Sequence, residues 1–340
     1  MAMSVIVGLI GGMGLFLFGM HLLSDSMRKL SLGFLKILLD KVTSNRLKAV
    51  GLGVIVTSII QSSSATSVLL IGFLNAGLIS LASALPVIFG ANIGTTVTAQ
   101  LIAFKLTQSA YVFVFVGALI YLFAKKTKNK NKGSAILGFG ILFLGLATMG
   151  ASVKPLAQNE IVVQTFVSFG QRPLLAIMIG LVVTVLLQSS STTIGMVIAF
   201  ASAGLLDLPA SIYLVLGDNI GTCITAVLAS IGGKLVSKRL AAGHVLFNII
   251  GTIIVFPFIP LYIDYIPLLS GDLSRQIANT HTIFNVVNTI IMVPCVPLFL
   301  KVLNKILPGE DYEKVGTKFL DDNILPTPNL AIKAVIKQLS

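Results

Sequence analysis

The sequence predicts an all-α polytopic membrane protein made of two inverted repeats, each with a re-entrant helical hairpin and a broken transmembrane helix. Three observations lead there. Hydrophobic residues make up 55% of the 340 and charged residues only 11%, with a mean hydropathy of +0.98, whereas a soluble domain carries about 25% charged residues. Apolar windows of roughly 20 residues, long enough to cross a bilayer, recur along the chain. A polar cluster also interrupts an apolar run twice, as QSSSATS at 61–67 and QSSSTTI at 188–194.

The two clusters belong to a duplication. Gln61 aligns with Gln188 at an offset of 127, and the same offset aligns Asn92 with Asn219 without a gap, so GANIGTT at 90–96 meets GDNIGTC at 217–223. Across 57–104 and 184–231, 20 of 48 positions are identical. The register runs backwards to place Leu15-Phe16-Leu17 on Leu142-Phe143-Leu144, so 11–104 and 138–231 are copies of one unit. The matches fall on Gln, Ser, Asn, Gly and Thr, which chance similarity between two apolar segments would not produce.

Taken in order, residues 4–24 lack a basic start and an A-x-A cleavage site, so they read as a first transmembrane helix rather than a removed signal. Segment 25–46 is too polar to span and reads as an amphipathic arm at the interface. The run 47–60 has 14 residues, which is about 21 Å of helix against a hydrocarbon core of about 30 Å. The run 65–79 is equally short, so 47–79 is expected to enter and leave on one side, as a hairpin with QSSS at its tip. The copy at 174–206 repeats this, preceded by a second arm at 153–170. Full spans are expected near 4–24, 82–104, 107–124, 134–151, 209–231, 240–262 and 280–303, which assigns 1–132 to the first repeat and 133–306 to the second plus one added span. Three crossings separate matching helices, so the second copy is inverted.

Charge supports this arrangement and excludes other classes. The net charge of +12 clusters between apolar runs, most densely in KKTKNKNK at 125–132, which is a positive-inside pattern rather than a nucleic-acid surface. With the N-terminus outside and the C-terminus cytoplasmic, the inside loops carry Arg28, Lys29, Lys36, Lys41, Arg46, Lys48, five lysines of 125–132, Lys234, Lys238 and Arg239. The outside loops carry Lys105, Lys154, Arg172 and Arg275, a balance of 14 against 4. Two cysteines, Cys223 and Cys295, imply neither disulfide nor metal site, no phosphate-binding G-x4-G-K-[ST] loop occurs, and no nucleophile–base pair points to an enzyme.

Inverted repeats with broken helices and a midplane site are typical of secondary transporters that work by alternating access. Two hairpins entering from opposite faces would bring their tips together. Gln61, Ser62, Ser63, Ser64, Gln188, Ser189, Ser190 and Ser191 supply hydroxyl and amide donors without fixed charge, beside the positive end of each second arm. That is a pocket for a small oxyanion such as phosphate or sulfate, able to hold it without locking it in. An acceptor set of Thr66, Asn92, Thr95, Thr193, Asp218, Asn219 and Thr222, with helices expected to unwind at Gly90–Gly94 and Gly217–Gly221, suits a hard monovalent cation such as sodium. Asp218 replaces Ala91 and is the lone acid of either motif; capping the helix after the break is its alternative role. HVLFN at 244–248 and HTIFN at 281–285 read as helix–helix hydrogen-bonding segments, with proton relay by His244 and His281 as the alternative. Arg46 and Arg172 read as interfacial anchors at the hairpin bases.

QSSS paired with GANIGTT and GDNIGTC resembles the type II sodium–phosphate cotransporter family and its bacterial relatives, over residues 1 to about 303. The resemblance implies sodium-coupled movement of inorganic phosphate across the cell membrane, the inner membrane of a bacterium, with the twin QSSS regions forming the substrate and sodium site. Residues 307–340 resemble a cytoplasmic linker leading into a PhoU-like helical domain, which as a domain or separate protein is an expected partner. A homodimer is a further expectation. The competing readings are a sodium-coupled carrier of another small anion and a non-transporting membrane phosphate sensor.

Overall fold

The computed structural model describes residues 2–39, 45–104, 106 and 108–309, and every regular element among them is helical. The chain runs through α1 (Ala2–Leu39), α2 (Arg46–Ile60), α3 (Ser63–Asn75), α4 (Leu81–Ile102), α5 (Ala110–Phe123) and α6 (Thr127–Val153). A 3-10 turn at Lys154–Gln158 leads to α7 (Glu160–Gln171), α8 (Pro173–Leu187), α9 (Ser190–Ser202), α10 (Leu208–Gly221), α11 (Ile224–Ser230) and α12 (Leu235–Val255). The remainder is a 3-10 turn at Phe256–Phe258, then α13 (Ile259–Leu269), α14 (Leu273–Met292) and α15 (Val296–Ile306). Large apolar side chains such as Val7, Tyr111, Phe123, Leu186 and Leu268 are exposed, while Thr57, Asn92, Asp218, Asn248 and Asn285 are buried. That inversion belongs to a chain dissolved in lipid, where polar groups must find partners inside the protein.

The duplicated segments fold alike. α2, α3 and the first residue of α4 recur at the same offset of 127 as α8, α9 and the first residue of α10. Even the caps match: Ser80 accepts from Ser83 N (3.3 Å) at the start of α4, and Asp207 accepts from Ala210 N (2.9 Å) at the start of α10. α1 and α6 pack together with a regular register. A Cβ on Gly19 would stand 2.3 Å from Leu142 N, and one on Gly145 would stand 2.3 Å from Phe16 N. Subtracting the offset, Leu142 is the mate of Leu15 and Gly145 the mate of Phe18, so each helix meets the other through equivalent positions in reversed order.

Several expectations need correction. Among the described residues, five helical stretches are long and apolar enough to span: Met3–Ser31, Leu81–Ile102, Thr127–Gln158, Leu208–Ser230 and Leu235–Leu269. The count reaches 7 if each of two bent pairs is one span. The expected span 107–124 is the 14-residue α5, since Gln108 and Ser109 stay outside the helix. The expected span 280–303 divides into α14 and α15, bent by 84°, at Pro294, which has no N–H to continue the helix. The expected arm 25–46 is continuous with the first span as far as Leu39, whereas 153–170 is a separate 3-10 turn and α7. Lys41, Lys105 and the 310–340 part of the expected linker lie outside the described residues.

The largest correction concerns the glycine motifs. α4 passes through Gly90–Gly94 without a break. In the second copy α10 is helical to Gly221 and the break follows, at Thr222 and Cys223. The glycines are there for contact. A Cβ on Gly90 would lie 2.0 Å from Val50 O, and one on Gly53 would lie 2.0 Å from Val87 O. In the second copy Gly217 would meet Ile177 O at 1.9 Å and Gly180 would meet Leu214 O at 2.2 Å. Small residues spaced by four let α2 close on α4 and α8 on α10, backbone to backbone, which is how helices associate in lipid.

Gly90→Ala or Gly217→Ala should therefore destabilise the protein by about 1–3 kcal/mol through overpacking. Gly72→Ala, with nothing within 4 Å of its added Cβ, should not. Thermal melts in detergent check this, and equal melting temperatures for all three variants would remove the close-packing account.

Candidate functional site

Each hairpin turns in two residues. α2 stops because Gln61 adopts a left-handed conformation (φ 58), its N–H returning to Thr57 O at 2.7 Å. Ser62 is extended and starts α3, its Oγ accepting from Ala65 N at 3.1 Å. Gln188 (φ 52) and Ser189 do the same in the second copy, with Gln188 N on Thr184 O at 2.7 Å and Ser189 Oγ accepting from Thr192 N at 3.3 Å. The left-handed region costs a non-glycine residue roughly 1–2 kcal/mol, so two glutamines held there mark a turn that the surroundings enforce.

The tips meet. One cavity of about 270 Å³ is lined by Gln61–Ser64, Gln188–Thr192, Thr95 and the α1 residues Leu17, Met20, His21 and Ser24. All eight residues expected to bind the anion reach it. At about 30 Å³ per water, the space holds about nine waters, enough for a partly hydrated tetrahedral oxyanion. No Arg or Lys among the described residues lines it. The first N–H groups of α3 and α9 have no acceptor within their own helices, and they lie at the cavity with Ser63 and Ser190. The two glutamines differ. Gln61 donates to Ser58 O and accepts from Thr98 Oγ1 at 2.8 Å, whereas the Gln188 amide makes no hydrogen bond among the described residues.

The seven expected cation ligands separate into distinct places. Asp218 is fully buried; its Oδ1 accepts from Thr184 Oγ1 at 2.7 Å, and Thr193 Oγ1 lies 2.8 Å from that same hydroxyl. Asp218 Oδ2 is buried without a hydrogen-bond partner. In the first copy Thr66 meets Thr57 at 2.9 Å in the equivalent geometry, but Ala91 supplies no carboxylate. Asn92 instead bonds His244 Nε2 across to α12 at 3.1 Å. Asn219 accepts from Asn285 of α14 at 3.1 Å. Thr95 faces the anion cavity, and Thr222 sits at the break after α10. The H-x-x-F-N segments thus carry helix–helix hydrogen bonds, and Asn248 adds another, to Cys223 Sγ at 3.1 Å. Arg46 opens α2, Arg172 precedes α8, and both are exposed.

Sequence reasoning missed Thr57, Thr184, Thr98, His21 and Ser24. Thr57 and Thr184 had a usable signal, an identical polar residue at the same register of both copies, one turn before QSSS. His21 also had one, as an ionisable side chain inside the first apolar run. Thr98 had the same signal as Thr57, since it aligns with Thr225 at the offset of 127, whereas nothing local marks Ser24.

Comparison with known proteins bears on the same segments. The family described as Na+/Pi-cotransporter matches residues 15–151 and 148–259. The "Uncharacterized protein YqeW" of Bacillus subtilis (strain 168) is 33% identical over 260 residues, 76% of this chain and 84% of that protein. The "Putative inorganic phosphate export protein YjbB" of Escherichia coli (strain K12) is 27% identical over 268 residues, 79% of this chain. The match spans about half of that protein's length, 49%. The "Sodium-dependent phosphate transport protein 2B" of Homo sapiens is 35% identical over 130 residues, 36% of this chain and 19% of that protein. No solved structure matches the chain. With both duplicated segments inside the matched family regions, this polytopic helical chain belongs to the Na+/Pi-cotransporter family.

Proposed function

We propose that this protein is a secondary active transporter that couples sodium to the movement of inorganic phosphate across the membrane, with the anion bound between the two QSSS tips. The carrying observation is that Gln61–Ser64 and Gln188–Ser191 line a single cavity without a fixed positive charge. The relatives named for sodium-dependent phosphate transport and for phosphate export support the substrate. Neutral hydroxyls and helix-start N–H groups bind an oxyanion by hydrogen bonds yet let it leave.

Alternating access by inverted repeats, 1–132 against 133–306, is the mechanism we favour. The reversed-order contact between α1 and α6 is what a two-fold axis lying in the membrane plane would produce. A second cavity of about 430 Å³ supports it. Its α6 wall includes Ala147 and Ala151, the mates of Met20 and Ser24 in the α1 wall of the QSSS cavity, and it ends at Lys154. Corresponding faces of the two copies therefore line cavities at different levels. The N-terminus is placed outside and the C-terminus in the cytoplasm, on loop charge.

The cation site we favour is the Asp218–Thr184–Thr193 group. A buried carboxylate oxygen without a partner is costly, and a sodium ion beside Oδ2 would offset that cost with the two threonine hydroxyls at hand. Asn92, Asn219, Thr66, Thr95 and Thr222 are proposed to act around it or at a second ion. Negative charge close to the anion would make phosphate bind poorly until sodium arrives, which is a basis for reciprocal coupling.

Three outcomes are expected. In proteoliposomes, radiolabelled phosphate should move with a sodium gradient, and Ser63→Ala with Ser190→Ala should weaken phosphate affinity by about 1.5–3 kcal/mol per lost bond at unchanged protein level; unchanged affinity would place the anion elsewhere. Asp218→Asn should raise the sodium needed for half-maximal flux at least about tenfold, or about 1.4 kcal/mol, and change the charge moved per phosphate. Wild-type sodium curves would leave Asp218 a purely structural acceptor for Thr184. Lys128→Cys should be labelled from the cytoplasmic side alone, and reactivity solely from outside would overturn the topology and the inverted-repeat reading together.

A further inference from the structure

The cavity at the QSSS tips has three walls, and the duplicated hairpins make two of them. α1 makes the third, with Leu17, Met20, His21 and Ser24. These residues recur at helical spacing, so one face of α1 looks into the cavity. His21 is the one titratable side chain in that lining, it is exposed there, and it makes no hydrogen bond among the described residues. Both of its ring nitrogens are thus free to meet whatever occupies the space. Its repeat mate, Thr148, turns back to its own helix, donating to Leu144 O at 2.8 Å. The hairpin walls are nearly symmetric, but the third wall is not.

We infer that His21, assisted by Ser24, is a direct ligand of the oxyanion in this cavity, and that its imidazolium form binds the anion more tightly than its neutral form. This rests on the anion site proposed above. The other ligands there are neutral donors, so one charge-assisted hydrogen bond changes the balance of the site. An imidazole can carry a proton or shed it, so the same side chain can hold the anion strongly or weakly. A permanently charged lysine would hold the anion too long for rapid release.

The surroundings leave that charge to act on the cavity. Asp25, one turn further along α1, is paired with Lys29 at 2.6 Å, and both Arg28 and His21 act on it electrostatically, so the lysine takes most but not all of that carboxylate's field. α6 packs along α1 and carries no titratable side chain between Gly138 and Met149. α2 carries only Arg46 and Lys48, both in its first turn, and α3, α4 and α9 carry none. No residue of the proposed Asp218–Thr184–Thr193 cation group hydrogen-bonds to His21.

The test uses the purified full chain in detergent at fixed sodium. Phosphate affinity is measured by thermal shift from pH 5.5 to 8 for wild type, His21→Gln and His21→Lys. Phosphate titrates over the same range, but the ratio of affinities between two proteins cancels that contribution. Wild type should bind phosphate about tenfold more tightly than His21→Gln at pH 5.5, with the ratio falling towards one at pH 8. His21→Lys should bind more tightly than wild type at pH 8 and, in proteoliposomes, turn over more slowly. A flat ratio across pH, with His21→Lys no tighter than His21→Gln, overturns the role of His21 while leaving the QSSS site standing. Wild type that gains no thermal stability from phosphate at any pH overturns the anion site itself. Ser24→Ala is the independent variant: it should weaken phosphate binding without changing the sodium dependence, and unchanged phosphate binding would remove α1 as a wall of the site.

Discussion

Two helix ends that stop inside the protein and meet at one cavity are the constraint on which the structure turns. A helix that stops inside hydrocarbon leaves backbone N–H and C=O groups that lipid cannot satisfy. Here each stop is closed within two residues, by a left-handed glutamine returning its N–H to the preceding turn and a serine capping the next helix. The groups left over at the start of α3 and α9 do not face lipid, because the tips are set against each other and against α1 around a shared cavity. The same arrangement that makes a buried turn tolerable also collects hydrogen-bond donors in one place.

Holding the tips together depends on how closely their supporting helices approach. Gly53 against α4, Gly90 against α2, and Gly180 and Gly217 in the second copy bring backbones into direct contact. This seats α2 on α4 and α8 on α10 as rigid pairs. Each pair carries a threonine, Thr57 or Thr184, that reaches the first turn of the hairpin's second arm. The scaffold is close to two-fold, and the departures from symmetry are chemical. Asp218 stands where the first copy has Ala91, His21 where the second has Thr148, and the Gln188 side chain makes no hydrogen bond among the described residues where that of Gln61 is tied to Thr98.

Much of this was legible in the sequence, and the reasons it was legible are physical. Runs of 14 residues are too short to cross a bilayer, so helices that stop at the QSSS clusters are legible from length, within 47–79 and 174–206, and the structure has them at 46–60, 63–75, 173–187 and 190–202. The offset of 127 carries the bounds of the first pair onto the second. The glycine motifs were misread because glycine serves two ends, backbone freedom and close approach, and nothing in GANIGTT separates them. The spans at 107–124 and 280–303 were misplaced because hydropathy averages over Gln108, Ser109 and Pro294, which end helices locally. The expected cation set is one group by chemistry alone, oxygen acceptors drawn from the QSSS and glycine motifs of both copies. In the folded chain Asn92 and Asn219 turn to α12 and α14 instead.

What the sequence determined by itself was the solvent, the helical class, the duplication and the eight polar residues at the two tips. These follow from transfer free energy, helix length and internal comparison, none of which requires knowing which helices touch. Tertiary structure alone decided the rest. It set Asp218 beside Thr184 and Thr193, left Asp218 Oδ2 without a hydrogen bond among the described residues, joined Asn92 to His244, and closed the cavity at the QSSS tips with His21 and Ser24. Those contacts depend on the rotation and crossing of helices far apart in the chain. Rotation and crossing are set by where small residues let backbones meet, a property of pairs of helices that no single stretch of sequence carries.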